Sequence, residues 1–184
     1  TAWELFGRVL ESAGKTDETL NASYKAASLA PQDFGIKLSH SVALHRLGRI
    51  EEAKKVLEDA IALEPKLTEA HFGLGLVLLE KGDKEGAAAA FQKAIELKPD
   101  FARAYSYLAN ALAQLNRTQE ALAAAQKATD LDPKMPEAHF GLGLAWVKLG
   151  QLHQAEREFR EAVSLKPDFV QGYTRLGRVL RELD

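Results

Sequence analysis

The chain has 184 residues and a formal net charge of −2, with 24 Lys and Arg against 26 Asp and Glu. Charges that nearly cancel exclude nucleic-acid binding driven by phosphate contacts and a polybasic membrane anchor, while 46% hydrophobic and 27% charged residues make an ordinary folded domain. The absence of cysteine excludes disulfides, thiolate catalysis and Cys-ligated metal centres, and no run of about 18 apolar residues reads as a membrane span.

Along the chain one beat recurs. Pro31, Pro65, Pro99, Pro133 and Pro167 are each 34 residues apart, and only Pro136 stands outside the series. Ala26, Ala60, Ala94, Ala128 and Ala162 precede each Pro by five residues, and Leu29, Leu63, Leu97, Leu131 and Leu165 by two. Gly14, Gly48, Gly82 and Gly150 precede it by 17, with Asn116 in the one remaining place. Within each period two stretches carry apolar residues at helical spacing, Glu69 to Lys81 and Lys84 to Leu97 being the clearest. Gly, or Asn116, supplies the left-handed residue that closes the first helix. Pro closes the second, because its ring clashes with the helix and it lacks an N–H. Asp17 and Asp83 read as N-caps of second helices. The predicted units are residues 1–33, 34–67, 68–101, 102–135 and 136–169, each helix–turn–helix, followed by a terminal helix in 170–184. A longer period overlies them: residues 65–77 and 133–145 agree at 10 of 13 positions at a spacing of 68, so the second and third units resemble the fourth and fifth as a duplicated pair.

These residues resemble the tetratricopeptide repeat (TPR) family, whose 34-residue pattern carries Trp, Leu-Gly, Tyr, Ala, Phe and Pro at fixed places. The third unit has Leu74-Gly75, Ala87, Phe91, Ala94 and Pro99; the fifth has Leu142-Gly143, Ala155, Phe159, Ala162 and Pro167. The first begins with Trp3, Phe6-Gly7 and Gly14 but has Thr19 and Ser23 at the Ala and Phe places. The fourth has Tyr105, Leu108-Ala109 and Ala121, and the second keeps Ala53, Leu57 and Ala60. The resemblance covers the whole chain. It implies an all-α, right-handed superhelical solenoid forming a single domain over 1–184, with Tyr173, Leu176-Gly177 and Leu180 in a capping helix or a sixth repeat cut short.

Catalytic and metal motifs are missing. His71 to Leu76 and its copy His139 to Leu144 contain GxG, but Leu78 and Trp146 stand where a dinucleotide loop needs its third Gly, and no strand precedes. No GxxxxGK, HExxH or GxSxG occurs. His71 and His139 read as helix-packing imidazoles two units apart, and His40 and His45 fall on different helix faces. Glu51-Glu52 with Lys54-Lys55 reads as surface ion pairing. The expectation is a protein without catalysis and without a cofactor.

In the family, first helices line a concave groove. Carried over by position, the resemblance implies a groove of Phe72, Leu76 and Leu79 in the third unit, Arg103, Ser106, Tyr107 and Asn110 in the fourth, and Phe140, Leu144 and Val147 in the fifth. Glu4, Arg8 and Glu11 lie at one end and Arg175, Arg178 and Arg181 at the other. The family's clamp for chaperone C-terminal carboxylates is matched at two of five places in the best frame (Asn110 and Arg175, against Ser106, Gly141 and Gln171), so that partner is rejected. Gly73 and Gly141 sit inside helices, where Gly costs roughly 1 kcal/mol relative to Ala. They are expected to open space on either side of the Tyr107 ring.

The expected function is an interaction scaffold that holds a protein or peptide segment in the groove, with an acidic stretch toward the arginines. Nucleic acid and membrane insertion are not expected, and a homo-oligomer stays open. Two other readings also stay open: a substrate-presenting part of a larger enzyme such as a bacterial transferase, and a self-assembly module. The chain begins at Thr1 without Met or a signal-peptide pattern, which reads as a piece of something longer. A bacterial cytoplasm and periplasm fit equally well.

Overall fold

The computed structural model describes residues 16–184, so Trp3, Glu4, Phe6, Gly7, Arg8, Glu11 and Gly14 lie outside the described residues. Ten helices follow one another, with no strand among the described residues: α1 (Thr16–Leu29), α2 (Phe34–Arg46), α3 (Ile50–Leu63), α4 (Thr68–Lys81), α5 (Lys84–Leu97), α6 (Ala102–Gln114), α7 (Thr118–Leu131), α8 (Pro136–Lys148), α9 (Leu152–Leu165) and α10 (Val170–Leu183). Two compact units divide between Asp83 and Lys84, that is, between the two helices of the third repeat.

Local chemistry sets the ends of these helices. Gly48, Gly82 and Gly150 take φ of 70°, 87° and 70°, and Asn116 takes 60° as the only described non-glycine residue in that region. At each, two backbone bonds fold back on the helix. Gly82 N–H donates to Leu79 at 3.1 Å and Asp83 N–H to Leu78 at 2.9 Å, and Asn116 and Arg117 repeat the pair onto Ala113 and Leu112. That is a Schellman closure, which satisfies carbonyls the helix leaves open. Second helices end one residue short of the residue before proline. Glu64, Asp132 and Lys166 there have φ near −135° to −139° and ψ near 87° to 90°, the extended backbone that a following proline ring enforces. Pro136, the proline outside the 34-residue series, opens α8 at its first turn, where a missing N–H costs nothing. One sequence expectation fails: Asp17 is the second residue of α1, one place inside the helix, and not its cap. Asp83 does directly precede α5.

In the first unit, α2 packs on α1 and α3, α3 on α4, and α2 also meets α4. Its core is Leu44, Ala53, Leu57, Ala60, Ala70 and Val77. His40, on α2, belongs with this buried set and is 6% exposed. Its Nδ1 lies 2.9 Å from Ser23 Oγ. The single hydroxyl proton of Ser23 goes to the Leu20 carbonyl at 2.9 Å, so Ser23 Oγ accepts from the imidazole. On α2 one turn on, His45 reaches out instead, to Glu80 of α4 at 2.6 Å.

In the second unit, consecutive helices from α5 to α10 pack pairwise, and α6 meets α8 as the first helices of adjacent repeats. Small residues let the helices close. Ala87, Ala94, Ala121, Ala128, Ala155 and Ala162 are 0–1% exposed, and Phe91 and Phe159 fill the space the alanines leave. Gly143 shows how tight this is: a Cβ there would stand 2.7 Å from the Phe159 ring. The Gly of Leu142-Gly143 is therefore held small by contact with Phe159.

Two outcomes follow. Ala94→Leu forces three further heavy atoms into a fully buried position and is expected to cost roughly 1–3 kcal/mol, read as a lower midpoint in urea unfolding. His40 is held below its ordinary value of 6.5, first by burial and then by Arg49, with Glu52 opposing and Lys37 adding a small push. As pH falls below 6.5 the unfolded chain gains a proton that the folded chain still refuses, so stability is full above that value and declines until the folded pKa is passed. The melting temperature should drop between pH 7 and 5, and His40→Gln should flatten that part of the profile.

Candidate binding groove

First helices of the second unit line a concave groove of about 1080 Å³. Its wall is built by α6, α8 and α10, one helix per repeat, because each repeat turns its second helix away behind the first. Tyr107 and Asn110 come from α6, Phe140, Gly141 and Leu144 from α8, and Tyr173, Arg175, Gly177, Arg178 and Arg181 from α10, with Phe169 just ahead of α10. A smaller recess of about 390 Å³ lies beyond Leu144 and shares Leu144, Arg175 and Arg178 with it.

The floor is aromatic. The Phe140 ring stands 5.0 Å from Phe169 and 5.7 Å from Phe159, tilted to each, and Tyr107 lies 5.6 Å from Phe91. Rings stacked on buried rings are held in place, so they present a fixed apolar surface. Above the floor the wall is polar, with Ser106, Asn110, Glu137, Gln171, Thr174 and three arginines. Asn110, part of the lining, accepts from Gln114 at 3.1 Å. Ser106 Oγ donates to the Glu137 carbonyl at 3.3 Å. The Glu137 carboxylate meets Lys166 at 3.5 Å. Along α10 the three arginines are exposed. Arg178 pairs with Glu182 at 3.0 Å.

The expected groove residues therefore divide. Tyr107, Asn110, Phe140, Leu144, Arg175 and Arg178 line one cavity. Arg103 is exposed on α6 but is not part of that lining. Leu76, in the first unit, is half-buried. Phe72 is only 8% exposed. It is a core residue and not a free groove side chain, since removing a ring of that size from water is strongly favourable. Sequence reasoning missed Phe169, Tyr173 and Gly177. The Pro-Asp-Phe that recurs at 99–101 and 167–169 was the signal for the first of these, since it places an aromatic at the mouth of a first helix.

The paired glycines also divide. A Cβ at Gly141 would meet nothing within 4 Å, and Gly141 shares the groove with Tyr107. A Cβ at Gly73 would stand 3.1 Å from a Leu57 methyl. The duplication explains the difference: Leu57 of α3 corresponds, 68 residues on, to Ala125 of α7. The shorter side chain leaves the space open. Gly73 thus fits against the core, contrary to the expectation that it opens space. Gly177 likewise has open space before it and lines the groove from the other side.

His71 and His139 do local work. Nε2 of each donates to the carbonyl of Pro65 or Pro133, six residues back, at 2.9 Å, tying the start of a first helix to the turn before it. His139 also places Nδ1 2.8 Å from Glu158 of α9. Among the described residues no three His, Asp or Glu converge as metal ligands, and no helix is long and apolar enough to cross a membrane.

Known proteins agree with this architecture. The family model for the tetratricopeptide repeat matches residues 39–102, 86–136 and 107–168, and the chain belongs to that family. Its proteins are typically protein-interaction scaffolds. Among solved structures, MamA from Desulfovibrio magneticus RS-1 is 24% identical, with 92% of this chain and 96% of that one aligned and a TM-score of 0.76. A chain of the APC/C hetero-tetramer Cut9–Hcn1 is 24% identical over 97% of this chain and 36% of its own, with a TM-score of 0.84. YrrB, a TPR protein with an unusual peptide-binding site, is 21% identical over 94% and 89%, with a TM-score of 0.70. At these identities the likeness is one of fold. No curated protein matches the chain.

Three substitutions separate the glycines. Gly141→Ala should raise stability by roughly 1 kcal/mol, the helix-propensity gain with no contact against it. Gly73→Ala should gain less, because the buried Leu57 has to give way. Gly143→Ala should destabilise by about 1–3 kcal/mol through overpacking on Phe159. Thermal melts of the three side by side check the order.

Proposed function

We propose that the chain is a non-catalytic interaction module whose groove on α6, α8 and α10 holds an extended segment of a protein partner. The observation that carries this reading is the groove itself: a concavity of about 1080 Å³ with an aromatic floor and a polar wall. Recognition sites of this kind combine apolar surface, which supplies affinity, with sparse polar groups, which fix orientation. Asn110 suits that second task, because a side-chain amide matches the donor and acceptor of a peptide backbone. The family's usual role as a scaffold and the peptide-binding site of YrrB support the same reading.

The titratable groups around the groove favour binding over catalysis. Glu137 and Glu182 each hold a cation, and no histidine is part of the lining. A general base needs a free carboxylate or imidazole within reach of substrate.

The test is a selection of random 12-residue peptides, displayed with both ends blocked, on the immobilised chain. Peptides that bind are expected to lose at least tenfold in affinity to Gly141→Leu, which adds bulk to the groove from a position where a Cβ meets nothing within 4 Å. Peptides that bind the variant as well as the parent would place the site elsewhere.

A further inference from the structure

Three arginines on one helix set the chemistry of what the groove accepts. Arg175, Arg178 and Arg181 are spaced at three and six residues on α10, and all three line the groove. Arg178 is engaged by Glu182 at 3.0 Å. Among the described residues no carboxylate is within ion-pair distance of Arg175 or Arg181. The other acid of the lining, Glu137, sits at the start of α8 against Lys166. One flank of the groove is therefore an uncompensated cationic edge beside an apolar floor, although the whole chain carries −2. The cations are not spread by chance over the molecule's surface. They lie where α10 borders both the main groove and the smaller recess, which share Arg175 and Arg178.

Resting on the reading that this groove holds a protein segment, we propose that its occupant is an internal acidic segment: one bulky apolar side chain in the floor and two Asp or Glu residues, separated by a single residue, on the α10 edge. The spacing follows from backbone dimensions. Six residues of helix carry Arg175 and Arg181 about 9 Å apart along the axis. In an extended chain alternate side chains share a face and lie about 6.6–6.8 Å apart. The long arginine stems cover the difference, and guanidinium groups meet carboxylates with paired N–H donors. The place for the bulky side chain is set by Gly141 of α8 and Gly177 of α10. Both line the groove, and at both a Cβ would meet nothing within 4 Å. Glycine inside a helix is unfavourable, and here it leaves room for a ring beside Tyr107 and Phe140. This set of contacts differs from a terminal-carboxylate clamp, since two side-chain carboxylates and no chain end are required.

The peptide selection is repeated on the parent and on the Arg175→Gln, Arg181→Gln double variant. The parent should enrich peptides with an aromatic or large aliphatic residue and acids at alternate positions. The double variant should keep the apolar preference and lose the acidic one. For the best parental peptide, fluorescence anisotropy should show a loss of about twofold to fivefold per arginine removed, the range for exposed ion pairs, and weaker binding at 300 mM than at 50 mM NaCl. Arg175→Lys, Arg181→Lys should recover part of the affinity, the share that charge alone supplies, which separates charge from any change in folding. Peptides that depend on the open groove at Gly141 but carry no acidic residues, or bind the double variant undiminished, would overturn the acidic assignment and leave the groove reading standing. A selection in which no peptide depends on the groove would overturn both.

Discussion

The structure depends on how closely two helices approach when only a methyl group separates them. In the repeats at 34–67, 102–135 and 136–169 an alanine sits at each of the two crossings, and these alanines are 0–1% exposed. A larger residue at either place would push the helices apart and break the stack for the next repeat as well, because each repeat buries its apolar face only against its neighbour. The rings of Phe91 and Phe159 fill what the alanines leave, and Gly143 lies against Phe159 with no room for a Cβ. Close packing of this kind has a functional consequence. It fixes the second helices behind the first, so that the first helices of the second unit present a surface whose shape is set by the core.

That surface is where the chain departs from its own regularity. Helix geometry repeats, but the side chains on α6, α8 and α10 do not. Tyr107 faces outward where Gly141 stands one repeat later and Arg175 one repeat after that. A ring, a gap and a cation at equivalent places make a site with direction. Asn110 lies at one side and the arginines at the other, so a bound chain would meet different chemistry at its two ends. The polar groups that already have partners, Glu137 with Lys166 and Arg178 with Glu182, are exposed pairs worth little to stability and so are easily rearranged on binding.

The duplication sharpens the same point. Residues 71–76 and 139–144 are the same six-residue sequence, His-Phe-Gly-Leu-Gly-Leu, yet they do not occupy the same surroundings. Phe72 is buried while Phe140 is half-exposed and lines the groove. Gly73 presses on Leu57 while Gly141 faces open space. His139 reaches Glu158, where the copy 68 residues earlier has Ala90. Copying one helix did not copy the helix packed against it, and the neighbour decides the role.

The division between what the sequence determined and what tertiary structure decided therefore runs along the range of the interactions. Helix ends were legible because they rest on contacts within five or six residues: a left-handed Gly or Asn116, the ring of a proline, backbone bonds folding back on the last turn. The repeat was legible because a 34-residue period forces each repeat to meet the same kind of neighbour, and of its alanine series Ala60, Ala94, Ala128 and Ala162 are buried while Ala26 is half-buried. Asp17 was misplaced because an acid in the first turn of a helix reads much like a cap in sequence. The groove was legible only as a set of first-helix positions. Which of them face open space was settled by side chains from outside their own helix, Ala125 in place of Leu57 and Phe169 beside Phe140. Burial depends on the volume and charge of residues brought together from dozens of positions away, and no local pattern in the chain carries that information.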